Sequence, residues 1–232
     1  MALCVLSSVA ALVAVLVIAG PADDAKSAAT VCESDYSYAG VQGRQIASGV
    51  SAALTPVETP TVTDGHVGGW IGVGGADAGP GGAAEWLQVG LATFEQDRTS
   101  RLYYEVKVTG KEAKYVQLDS SVAPNETHRL AVVEVAGRTS WWRVRVDGRP
   151  ASPAIHLPGS HGTWFPQALG ESWNDGSGSC NAYSYRFSKV MLDAVNGGGW
   201  KPLERSSSVQ DTGYKVVQTS SVPRSFVAAS RS

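Results

Sequence analysis

The sequence predicts an all-β protein, a β-sandwich or jelly roll, and three observations predict it. Apolar and polar residues alternate with period two through many short runs. The runs recur at about 8 to 12-residue spacing between Gly, Pro and Asn turn signals, and hardly any stretch sustains a helical period. With 26 Gly and 11 Pro in 232 residues the turn punctuation is dense, while 43% apolar residues supply a core. A sandwich of about 200 residues commonly forms one unit, so one domain is expected.

In chain order, the first twenty residues form an uncharged apolar run followed by small residues around Ser27–Ala29. That pattern reads as a signal peptide over residues 1–29, although no Lys or Arg precedes the run and an apolar stretch of about 18 residues could also anchor in a bilayer. Residues 30–63, poor in charge and holding Pro56 and Pro60, read as a lead-in segment or a removable pro-segment. The sandwich itself is expected over 64–229, with 230–232 and the Ser-rich stretch 205–208 as mobile ends and loops. Within it the expected strands are 67–75, 85–93, 101–109, 115–119, 128–136, 140–147, 155–157, 163–172, 183–192, 214–218 and 225–229. Residues 76–84, ADAGPGGAA, form a loop by their Gly and Pro content.

Charge and cysteines narrow the function classes. The formal charge is −2, and no Lys/Arg cluster is denser in sequence than Arg143, Arg145 and Arg149, so a nucleic-acid partner is not expected. Of three cysteines, Cys4 would leave with the leader. Cys32 and Cys180 remain, and an exported chain can close them into one disulfide; the alternative, two free thiols, is disfavoured outside the cytosol. Secretion, with no stable membrane association once the leader is cleaved, is the expected localisation. Asn125-Glu126-Thr127 is a sequon for N-glycosylation in a eukaryotic host. His66, His128, His156 and His161 are scattered without metal-ligand spacing, and no nucleophile elbow, Walker loop or H-E-x-x-H occurs, so neither a metal nor a cofactor is implied.

The residue around which a function can be built is Gln88, an uncharged polar side chain between Leu87 and Val89. Alternation puts Trp86, Gln88 and Gly90 on one face and Leu87, Val89 and Leu91 on the other. Taken alone, Gln88 is better explained as a solvated polar position, so partners decide. Trp70-Ile71-Gly72-Val73-Gly74-Gly75, then Leu87-Gln88-Val89-Gly90, Tyr103-Tyr104-Glu105, Ala168-Leu169-Gly170-Glu171-Ser172-Trp173, Arg186-Phe187 and Ser225-Phe226-Val227 together resemble, in order, the glutamic peptidases or eqolisins. Each motif is short and degenerate, and the ordered series carries the resemblance.

What the resemblance implies is a secreted endopeptidase with a concanavalin A-like sandwich and a catalytic pair at Gln88 and Glu171. Trp70 and Glu105 would lie beside the pair, and the substrate would be a polypeptide; by their own chemistry Tyr103 and Trp86 either floor a substrate groove or simply cover the sheet. One departure is clear: the family's aspartate position is Gly74 here. The chemistry is self-consistent, because hydrolysis needs a base for water, a donor for the oxyanion and an acid for the departing amine. One carboxyl can serve as base and then acid, and one carboxamide can hold water through its oxygen and donate through its N–H. A carbohydrate-binding or purely structural sandwich is the competing class; Trp86, Trp141, Trp142, Trp164 and Trp173 would supply its stacking platform. A glycosidase built on Glu105 and Glu171 is a further alternative.

Overall fold

The computed structural model describes residues 32, 35–195, 198–222 and 224–231. The leader reading falls outside them. Two antiparallel sheets pack face to face as a concanavalin A-like sandwich. The first, seven-stranded, runs in the order β14 (Ser206–Gln210), β1 (Tyr36–Gly43), β11 (Pro166–Trp173), β3 (His66–Gly75), β4 (Glu85–Phe94), β5 (Ser100–Lys107) and β6 (Lys114–Val122). The second runs β10 (Ile155–His156), β8 (Trp141–Val146), β7 (His128–Glu134), β2 (Gly49–Pro56), β12 (Ser184–Ala194), β16 (Arg224–Ser230) and β15 (Tyr214–Ser221). The short strands β13 (Gly199–Pro202) and β9 (Arg149–Pro150) add to β12 and β8. Among the described residues no helix is long and apolar enough to cross a membrane.

The lead-in segment differs from its expectation. Residues 36–56 are two interior strands: β1 lies between β14 and β11, and β2 between β7 and β12. The sandwich therefore begins at β1 rather than at residue 64, and a cut at residue 63 would remove one interior strand from each sheet. The Ser-rich stretch 205–208 is also ordered, since β14 pairs with β1 from Ala39↔Gln210 to Gly43↔Ser206. Ser230 closes β16, and the Arg231 backbone N–H donates to the Gly213 carbonyl at 2.7 Å, so these two tail residues are held.

Alternation sorts side chains as the sequence predicts. Leu87, Val89 and Leu91 of β4 and Val67, Ile71 and Val73 of β3 point into the core, where they meet Tyr183, Tyr185, Phe187 and Phe226 from the second sheet. Two glycines let that layer approach closely. A Cβ on Gly69 would stand 2.6 Å from the Tyr185 ring, and one on Gly170 would stand 2.6 Å from the Tyr183 ring. These rings seat β3 and β11 directly beneath the residues flanking Gly69 and Gly170, which are Trp70 and Glu171. Cys32 and Cys180 form a disulfide spanning 148 residues of sequence.

Candidate active site

On the outer face of the seven-stranded sheet lies a groove of about 520 Å³. Register builds it row by row. Gln88 pairs with Gly72 on one side and Glu105 on the other; Gly90 sits between Trp70 and Tyr103; Glu171 lies opposite Gly68 and Tyr38. Gln88 and Glu171 thus belong to different rows, with the row of Trp70, Gly90 and Tyr103 between them. Both side chains reach toward that middle row. Gln88 Nε2 donates to Tyr103 Oη at 3.3 Å, and Glu171 Oε2 accepts from Trp70 Nε1 at 3.0 Å. Between Trp70 and Tyr103 the sheet has no side chain at all. A Cβ on Gly90 would stand 2.2 Å from the Gly69 carbonyl oxygen and 2.6 Å from Trp70 Cβ, so β3 and β4 approach too closely there for any residue but glycine.

Glu171 falls within the strand expected over 163–172. It sits inside β11, 9% exposed. Its second oxygen, Oε1, lies 3.2 Å from His66 Nε2, and the His66 ring is held between Phe94 and Trp173 at 5.5 and 5.4 Å. Glu105 shares the groove. Its carboxyl is pushed above the usual carboxylate range, first by burial and then by the Glu171 charge, while Trp86 and His66 pull the other way. Burial, reinforced by the Glu171 and Glu105 charges, holds Tyr103 well above the ordinary tyrosine range, so it remains a neutral hydroxyl. Among the described residues no group of three or more His, Cys, Asp or Glu side chains could hold a metal.

All six singled-out residues, Gln88, Glu171, Trp70, Glu105, Tyr103 and Trp86, lie on this face. Five of them line the groove, and Tyr103, outside its lining, accepts the Gln88 N–H. Sequence reasoning missed His66, Tyr36 and Tyr38. Tyr36 stacks on Tyr38 and Trp173 at 6.3 and 6.2 Å, forming one end of the groove from the segment taken for a lead-in. The signal for the tyrosines was their period-two spacing; for His66, its even offset from Trp70 on the same strand. Gly74 explains its own departure from the family pattern. Its φ is +90°, and a Cβ there would meet the Glu85 carbonyl oxygen at 2.3 Å, so this backbone does not accept aspartate. The tryptophan platform of the competing reading is not assembled: Trp142 and Trp164 are buried against each other at 5.9 Å, and Trp141 stacks on His156 in the second sheet.

Scytalidoglutamic peptidase, solved with a transition-state analog inhibitor, matches the structure with a TM-score of 0.58 across 86% of this chain and 99% of that one. The fold is that of a glutamic peptidase. A second structure of scytalidoglutamic peptidase, with a peptide-based transition-state analog, gives 0.56, and SCP-B, an eqolisin solved with the tripeptide Ala-Ile-His, gives 0.52, each over the same shares of the two chains. Identity is 14 to 15% in these three, so the likeness to the glutamic peptidases is one of fold. No protein-family model and no curated protein matches the sequence.

Proposed function

We propose that the protein is a secreted glutamic-type endopeptidase that hydrolyses peptide bonds at acidic pH with Gln88 and Glu171. The observation that carries this reading is that an amide and a carboxyl from different strands line one groove and both reach toward the row of Trp70, Gly90 and Tyr103. Glu171, as carboxylate, takes a proton from the attacking water and later returns it to the departing amine. Gln88 spends one N–H on Tyr103 and keeps a second N–H and its carbonyl oxygen for the oxyanion and the water. Trp70 and His66 fix the two carboxyl oxygens, so the carboxyl is held in the groove without further ordering. Because Glu171 must begin ionised and finish as an acid, the working range is acidic. The apolar leader and the disulfide support an extracellular setting.

The carbohydrate-binding and structural alternatives predict no chemistry in the groove. Purified protein incubated with denatured casein between about pH 2 and pH 7, followed by mass spectrometry of the fragments, separates them. New amino termini that accumulate on the acidic side are expected. An intact substrate at every pH would remove the peptidase reading and leave the binding or structural one.

A further inference from the structure

We propose that the outer face of the nine-stranded sheet carries a second binding site, for an anionic polysaccharide. That face holds a trough of about 980 Å³, roughly twice the volume of the groove on the other sheet. Its floor is made of small side chains in adjacent strands: Ser51 and Ala53 of β2 beside Ala131 of β7. Register places Arg145 next to Ala131 and Arg143 next to Val133, forming one wall on β8; Met191 next to Ser51 and Trp200 next to Asp193 form the other. Four cations, Arg129, Arg143, Arg145 and Lys189, face two carboxylates, Glu134 and Asp193, in a chain whose formal charge is −2. Positive charge spread thinly along the sequence is gathered here by strand pairing.

The cations are not used up internally. Arg143, Arg145 and Lys189 form no ion pair among the described residues, and Arg143 Nε is buried without a hydrogen-bond partner. Arg129 lies in the field of Asp147. Of the two acids, Glu134 is engaged by the Ser140 backbone N–H at 2.9 Å. Lys189 reaches the trough through a local irregularity: β12 slips register between Ser188 and Met191, and Lys189 there adopts φ +53°. A bulge of this kind re-aims a side chain, and a left-handed lysine is held against its own preference.

The ligand class follows from what the trough lacks. One mode of peptide recognition, addition of a strand to a sheet edge, is closed to this trough. The trough floor is the face of β2, β7 and β12, whose ladders are paired on both sides, so no free backbone donors or acceptors are offered. Recognition must come from side chains: cations for carboxylates or sulfates along a chain, and the exposed Trp200 ring, 44% accessible, as a flat surface for a sugar ring. The site lies on the sheet opposite Gln88 and Glu171 and does not rest on the peptidase reading.

Affinity electrophoresis of the purified chain in polygalacturonate gels, beside gels of neutral dextran and of poly-glutamate, tests the proposal. The variants are the double reversal Arg145→Glu/Lys189→Glu, Trp200→Ala, and Lys111→Glu, in the turn joining β5 and β6 of the seven-stranded sheet; thermal unfolding confirms that each is folded. The expected result is retardation by polygalacturonate but not dextran, weakened by about tenfold or more in the double reversal and by raised salt, several-fold in Trp200→Ala, and unchanged in Lys111→Glu. No retardation by polygalacturonate, or equal retardation of the double reversal, would overturn it. Equal retardation by poly-glutamate with no effect of Trp200→Ala would overturn the polysaccharide assignment in favour of an acidic polypeptide.

Discussion

Glu105 stands across the strand pair from Gln88, and burial together with the Glu171 charge raises its pKa in the folded chain. A carboxyl raised on folding favours the protonated protein: its contribution is fully present below the unfolded value and is lost as pH rises through the folded one. Ionised Glu105 therefore weakens the fold at neutral pH, a strain kept at the site. Glu105→Gln is expected to raise the thermal midpoint at neutral pH, with the gain vanishing near about pH 3, as calorimetry at the two pH values would show. At this scale the sequence was informative where a polar residue interrupts an apolar strand, as at Gln88, and where an aromatic sits at even offset from it, as at Trp86. For His66 the even offset from Trp70 was the one signal, and a histidine at a strand end has no partner until β11 is laid beside β3 and brings Glu171 to it.

At the scale of elements, Asn181 ties the loop before β3 to the end of β11. Fully buried, it accepts from the Thr63 and Asp64 backbone N–H groups and donates to the Asp64 and Trp173 carbonyls and the Ser172 hydroxyl. The strand it pins carries Glu171, so it sets the angle at which the carboxyl enters the groove. Asn181→Ala leaves buried backbone groups unpaired and is expected to destabilise by about 3 kcal/mol, a fall of roughly 6 to 12 °C in the midpoint. Strands with strong contrast between faces, such as β4 and β5, were legible in sequence. The strands β1, β2 and β14 were not, for a physical reason. In YSYAGVQG and GVSAALTP small residues stand on both faces, so the period-two signal is flat, and in SSSVQ an edge strand is polar on both sides. Their pairing is decided by partners more than 100 residues away: β11 for β1, β12 for β2 and β1 for β14.

Across the whole molecule, the two sheets have separate faces with separate characters: a groove holding carboxyls, an amide and aromatics on one, and a cationic trough on the other. The disulfide joins the start of the described chain to the loop after β11 and so secures β1, which a chain read as beginning at residue 64 would leave out. Closing a loop of 148 residues is worth about 5 kcal/mol in the chain-entropy treatment. Reduction, or Cys180→Ser, is expected to lower stability by an amount of that order, read from the denaturant midpoint with and without reductant.

The central claim is that one amide and one carboxyl, both lining the groove on the seven-stranded sheet, act together on a water and a peptide carbonyl. The steady-state rate of cleavage of an internally quenched peptide at acidic pH, measured for the native chain, Glu171→Gln and Gln88→Ala with folding checked for each, tests it most directly. Glu171→Gln should abolish turnover, and Gln88→Ala should lower kcat by about 10² to 10³-fold, the loss expected of an oxyanion donor. Turnover that survives unchanged in either variant would contradict the account.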